Sequence, residues 1–137
     1  MVGITSKSIY AVAALYQLGS CQEDETLKIK DIASRAKIPQ RFLEQILLEL
    51  KKNNILISTK GAHGGYKLAK PLENIKLAKI ISILENDTYT NICKTNNSVL
   101  KLFWNDVQNN LNTILDTPLS ELKKCEEKIN QAINFSI

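Results

Sequence analysis

Three observations in the sequence predict a mainly α fold with a small β hairpin. Short apolar stripes recur at helical spacing through the first fifty residues. A glycine-rich, basic turn, Lys60-Gly61-Ala62-His63-Gly64-Gly65, lies between the apolar runs Ile55-Leu56-Ile57 and Tyr66-Lys67-Leu68-Ala69. A long apolar segment then begins near Ser98. Three short helices followed by a basic-tipped hairpin make a winged helix-turn-helix, and the long helix behind it is expected to dimerise.

Thr5 or Ser6 can cap a first helix that runs to about Leu18 and stops at Gly19. Its expected buried stripe is Ile9, Val12, Ala13 and Tyr16. The polar, acidic loop from Cys21 to Thr26 leads to a second helix with Ile29, Ile32, Ala33 and Ala36 on one face. Pro39 opens the third helix, where its missing N–H costs nothing. Phe42, Leu43, Ile46, Leu47 and Leu50 are expected inside, with Gln40, Arg41, Glu44, Gln45 and Lys51 outside. The turn at Lys37-Ile38 lacks the glycine often found in this motif.

The hairpin should occupy about Ile55 to Ala69, and Pro71 breaks its second strand. Ile75-Lys76-Leu77 is a candidate for one more pairing segment. A fourth helix, about Leu77 to Glu85, should bury Ile80, Ile81 and Leu84. Residues 86–97 form a polar loop containing Cys93. In the long helix, Leu100, Trp104, Val107, Leu111 and Ile114 make a seam at alternating spacings of four and three, and Val99, Leu102, Phe103 and Leu115 widen it. Pro118 precedes a last helix that carries Leu119 and Leu122. The expected division is 1–85 for the winged domain, 86–97 for a sensor-type loop, and 98–137 for the dimerisation and C-terminal helices.

Length and composition agree with one soluble domain: 137 residues, 44% hydrophobic and 23% charged. No apolar run is long enough to span a bilayer and no signal-peptide pattern opens the chain, so the expected location is the cytoplasm, away from membranes. Charge is uneven. Residues 1–76 hold twelve Lys/Arg against seven Asp/Glu, whereas residues 77–137 hold six against seven. From Arg35 to Lys70 there are eight basic residues and two acidic ones, a footprint suited to a polyanion.

Motifs for catalysis are missing. The single histidine, His63, sits in the hairpin turn without a nucleophile pattern nearby, and no phosphate-loop, serine-hydrolase or zinc-protease motif occurs. The glycine-rich turn joins two strands and does not open a helix, so it lacks the dipole of a nucleotide-binding loop. No catalytic residue, metal ligand or cofactor is therefore expected. Gln40, Arg41, Glu44 and Gln45 suit base-edge or phosphate contacts in a major groove. Lys60 and Lys67 suit phosphate, His63 suits a narrow minor groove, and Gly64 and Gly65 allow close approach of the backbone. Thr5 and Ser6 complete the expected DNA-binding set. Tyr66 is expected to anchor the base of the wing.

Several stretches together resemble the Rrf-type (IscR/NsrR/CymR-like) family of winged helix-turn-helix transcriptional regulators. They are Ile4-Thr5-Ser6-Lys7 with Tyr10-Ala11-Val12, Asp31-Ile32-Ala33, Phe42-Leu43-Glu44-Gln45-Ile46-Leu47, and Gly61-x-x-Gly64-Gly65-Tyr66-x-Leu68. Phe103-Trp104-x-Asp106-Val107 on the long helix extends the likeness, which covers about residues 4 to 125. The resemblance implies a homodimeric bacterial transcription factor bound to double-stranded DNA at an imperfect palindrome, and the expected role is that of a repressor. It implies base reading by Glu44 and places Lys60 where the family usually has arginine. Cluster-binding members carry three closely spaced cysteines before the long helix. Here only Cys93 stands there, and Cys21 and Cys125 do not restore the spacing, so no iron–sulfur cluster is expected. Cys93 remains a candidate redox sensor, and a small-molecule or protein effector is the other source of a signal. The rival reading is a winged-helix module that binds another protein.

Overall fold

The computed structural model describes residues 3–85 and 96–135. Its order is α1 (Ser6–Gly19), α2 (Ile29–Ala36), α3 (Gln40–Lys52), β1 (Leu56–Thr59), β2 (Gly65–Leu68), a short 3-10 turn (Leu72–Asn74), α4 (Leu77–Leu84), α5 (Ser98–Leu115) and α6 (Glu121–Phe135). This is the expected mainly α winged-helix architecture with a long helix behind it.

Helices α1 to α4 and the root of the hairpin enclose one core, built on Leu15, Ile32, Leu43, Leu47, Ile55 and Ile80. In α1 the buried stripe is Ser8, Ala11, Leu15 and Leu18, with Ala14 beside it. The predicted stripe is rotated: Ile9 is 59% exposed, and Val12, Ala13 and Tyr16 are half-buried. Because α1 is apolar on most of its circumference, periodicity alone does not select a face, and small residues let the neighbouring helices approach. Thr5 caps the helix, its Oγ1 accepting from the Lys7 N–H at 3.3 Å.

Helix α2 buries Ile32 and Ala33, with Ile29 and Ala36 at the edge of the same face. It ends on Lys37, whose φ of 57° and ψ of 46° are left-handed. The glycine missing from this turn is replaced by a lysine in the conformation glycine would take at least cost. Helix α3 starts after Pro39 and buries Leu43, Ile46, Leu47 and Leu50. Phe42, expected inside, is 50% exposed. The four leucine and isoleucine side chains already fill the inward stripe at i, i+3, i+4 and i+7, which leaves Phe42 on its flank.

The hairpin is antiparallel, pairing Leu56 with Leu68, Ile57 with Lys67, Ser58 with Tyr66 and Thr59 with Gly65. Its extra pairing partner is Leu27, not the segment at Ile75-Lys76-Leu77. The Leu27 N–H donates to Tyr66 O at 2.9 Å and the Tyr66 N–H donates to Leu27 O at 2.7 Å. Tyr66 packs against the core, as expected for the base of the wing. Lys76 pairs instead with Pro118, and the Leu119 N–H donates to Ile75 O at 2.8 Å. That bridge ties the turn between α5 and α6 to the winged domain, with Leu119 buried against it. Helix α4 buries Ile80, Ile81 and Leu84 as expected.

Helix α5 is capped by Asn97, whose Oδ1 accepts from the N–H groups of Val99 and Leu100. No residue of α5 or α6 is fully buried. Trp104, Val107 and Leu111 are half-buried, whereas Leu100 is 44% and Ile114 64% exposed. No described helix is long and apolar enough to cross a membrane.

Candidate nucleic-acid interface

Gln40, Arg41, Glu44 and Gln45 all lie exposed on α3, as their spacing predicts. The Arg41 guanidinium carbon lies 5.0 Å from the centroid of the Phe42 ring. One groove of about 300 Å³ separates α3 from the first turn of α1, lined by Lys7, Gln45, Leu48 and Glu49 with Ile83 and Leu84 of α4. The fold thereby brings the start of α1, next to Thr5 and Ser6, alongside the outer face of α3.

Thr5 is engaged within the chain. Glu85 Oε1 accepts from the Thr5 N–H at 3.0 Å, from Thr5 Oγ1 at 2.7 Å and from Ser8 Oγ at 2.8 Å. Burial alone raises the carboxyl pKa, but the hydrogen bonds from Thr5 and Ser8, with the charge of Lys7, outweigh it and hold Glu85 below its ordinary value. Glu85 stands at the end of α4 and fastens it to the start of α1. Ser6 is exposed and makes no such contact with Glu85.

At the hairpin tip, the Gly64 N–H donates to Gly61 O at 3.0 Å and closes the turn. A Cβ on Gly64 would collide with Thr59 O. Gly65 has φ 153°, and a Cβ there would lie 2.5 Å from Leu27 O. These two glycines are therefore required by the fold of the wing itself, whatever approaches it from outside. Lys60 and His63 are exposed. Thr26 Oγ1 donates to His63 O at 2.8 Å, pinning the tip to the acidic loop. Lys67 Nζ lies 3.5 Å from Asp24 Oδ1, and Asp24, with φ 67°, stays 88% exposed. A shallow groove of about 380 Å³ places His63 near Asp24, Glu25 and Asp31. Asp24, Thr26 and Glu85 have no local signature, because their partners are 43, 37 and 80 residues away in the chain.

Cys93 lies outside the described residues. Cys21 is half-buried, with Sγ 3.4 Å from Gln17 O. Burial and the charge of Glu25 push its thiol up against the opposing pull of Arg35, which disfavours the reactive thiolate. Cys125 is exposed on α6. Among the described residues no three His, Cys, Asp or Glu side chains are grouped to hold a metal ion.

A family model named Rrf2, described as an iron-dependent transcriptional regulator, matches residues 4–124. The HTH-type transcriptional regulator IscR of Pectobacterium atrosepticum is 28% identical over 137 residues, covering 94% of this chain and 84% of that protein. Among solved structures, IscR from T. potens superposes with a TM-score of 0.75 at 30% identity, covering 93% of this chain and 90% of that one. CymR, the global cysteine regulator of B. subtilis, shares the fold with a TM-score of 0.78 at 24% identity, over 89% of this chain and 96% of that one. With an exposed polar face on α3, a basic wing beside it and a family match across nearly the whole chain, this protein belongs to the Rrf2 family of transcriptional regulators.

Proposed function

We propose that the protein is a homodimeric, sequence-specific DNA-binding repressor that works without an iron–sulfur cluster and without catalysis. The carrying observation is the exposed set Gln40, Arg41, Glu44 and Gln45 on α3, beside a wing that presents Lys60 and His63. In this reading residues 1–85 bind DNA. Helix α3 enters the major groove, where Glu44 accepts from a cytosine amino group and Gln or Arg reads purine edges. The wing follows the backbone or minor groove. Residues 98–137 hold two copies together through the seam from Leu100 to Ile114, so the site is an imperfect palindrome. Repression follows from occupying that site.

The donor set does not fit iron. Cys21 stands in the loop after α1 and Cys125 on α6, and the segment 86–97 contributes one further cysteine and no histidine. The signal is then carried by oxidation of Cys93, or by a small-molecule or protein effector acting near residues 86–97.

Selection of genomic fragments by the purified protein, followed by affinity measurements across a salt series, tests this reading. Enrichment of a palindrome is expected, with affinity falling by about 0.9 log units per log unit of salt for each phosphate neutralised. Protein added to in vitro transcription from an enriched promoter should lower transcript yield. Absent or salt-insensitive binding would favour the winged-helix module that docks on another protein.

A further inference from the structure

Phe42 breaks the pattern of α3. The inward stripe is complete with Leu43, Ile46, Leu47 and Leu50, all at 4% exposure or less, whereas Phe42 is 50% exposed in the helix's first turn. It is not simply stray surface, because the neighbouring Arg41 guanidinium lies over it at 5.0 Å. A cation resting on an aromatic face is restricted in rotamer and already partly stripped of water, so it loses less on meeting a base edge. Much of the ring is left open to the same surroundings as Arg41.

Resting on the reading that α3 enters the major groove, we propose that Phe42 is a specificity-determining residue that covers the C5-methyl group of a thymine next to the base pair read by Arg41. The chemistry is particular to that pairing. Polar side chains on α3 can recognise donors and acceptors, but the thymine methyl is the apolar feature of the major-groove edge, and an apolar side chain is what distinguishes it. Arg41 and Phe42 together then read a purine and an adjacent thymine, one by hydrogen bonds and one by apolar contact. Phe42 is half open, so trimming it leaves the core stripe intact.

The test compares the selected operator with the same duplex carrying deoxyuridine for thymidine, which deletes methyl groups and keeps every hydrogen-bonding group. The full-length wild-type protein should bind the uracil duplex more weakly, by roughly fourfold for each methyl it covers, the worth of one buried methyl-sized group. Phe42→Ala should bind both duplexes equally, and Phe42→Leu should keep part of the preference. Equal wild-type affinity for the two duplexes overturns the proposal, as does a thymine preference that survives in Phe42→Ala. A change in the sedimentation of Phe42→Ala without DNA places the ring in a protein contact and also overturns it. Failure of the parent reading looks different, because the unsubstituted operator itself would not bind.

Discussion

Glu85 joins two ends of the winged domain through a single carboxylate oxygen that accepts three hydrogen bonds from Thr5 and Ser8. Its folded pKa lies below the ordinary 4.5, so its contribution to stability is complete above that value and is lost as pH falls through the folded pKa. Glu85→Gln should therefore unfold at lower urea at neutral pH and show a flatter decline of stability under acid, read from urea midpoints between neutral pH and acid. The reverse backbone argument applies at Lys37, which holds φ 57° without a hydrogen-bonded side chain to explain it. Lys37→Gly should stabilise the protein by roughly 0.5–1 kcal/mol, since left-handed backbone costs a side chain about 1–2 kcal/mol and glycine's greater unfolded freedom offsets part of the gain. Thermal and urea unfolding of the variant check the sign.

At the scale of elements, the wing is a three-part device and not a free hairpin. Leu27 exchanges two hydrogen bonds with Tyr66, Thr26 holds the His63 carbonyl, and Asp24 pairs with Lys67. Gly65→Ala would push a methyl group into the Leu27 carbonyl, separating the wing from the loop before α2. Operator binding should weaken while α3 stays folded, which comparing affinity with the circular dichroism of the same sample reveals. If the wing meets DNA as proposed, the acidic loop would set how many cations it offers. Asp24→Asn should release Lys67 and steepen the salt dependence of non-specific binding by about 0.9, the value for one added phosphate contact. A slope unchanged from wild type would mean that Lys67 is already available, and the exposed Asp24 then counts for little.

For the whole molecule, the apolar surface left on α5 and α6 is the largest unmet demand. Leu100, Leu102, Phe103 and Ile114 on α5, and Ile129 and Ile133 on α6, are all at least 44% exposed in the single chain. In the proposed dimer, a second copy seated there would satisfy them and present two α3 helices to one duplex. Leu100→Asp with Ile114→Asp removes no fully buried side chain, so the chain should stay folded and sediment as a monomer. Its operator affinity should fall on the order of 10²- to 10⁴-fold, the usual gain from linking two binding modules. A double variant that remains dimeric would move the interface away from the Leu100-to-Ile114 seam.

Local chemistry by itself determined a good deal of this protein. Helical spacing placed the inner faces of α2 and α4, and Leu43, Ile46, Leu47 and Leu50 on α3. Glycine and lysine around a short hairpin marked the wing, and the motif set carried the resemblance to the family. Those features depend on residues within a few positions of one another, so spacing and propensity carry them. Only the tertiary structure decided which face of α1 is buried, that Phe42 turns outward under Arg41, and that Leu27 supplies the wing's extra pairing. It also decided that Thr5 is taken up by Glu85 and Lys67 by Asp24. The physical reason is common to all of them. Each depends on a partner brought near by packing of distant helices, or on a choice between nearly equivalent apolar faces, and neither leaves a trace in local sequence.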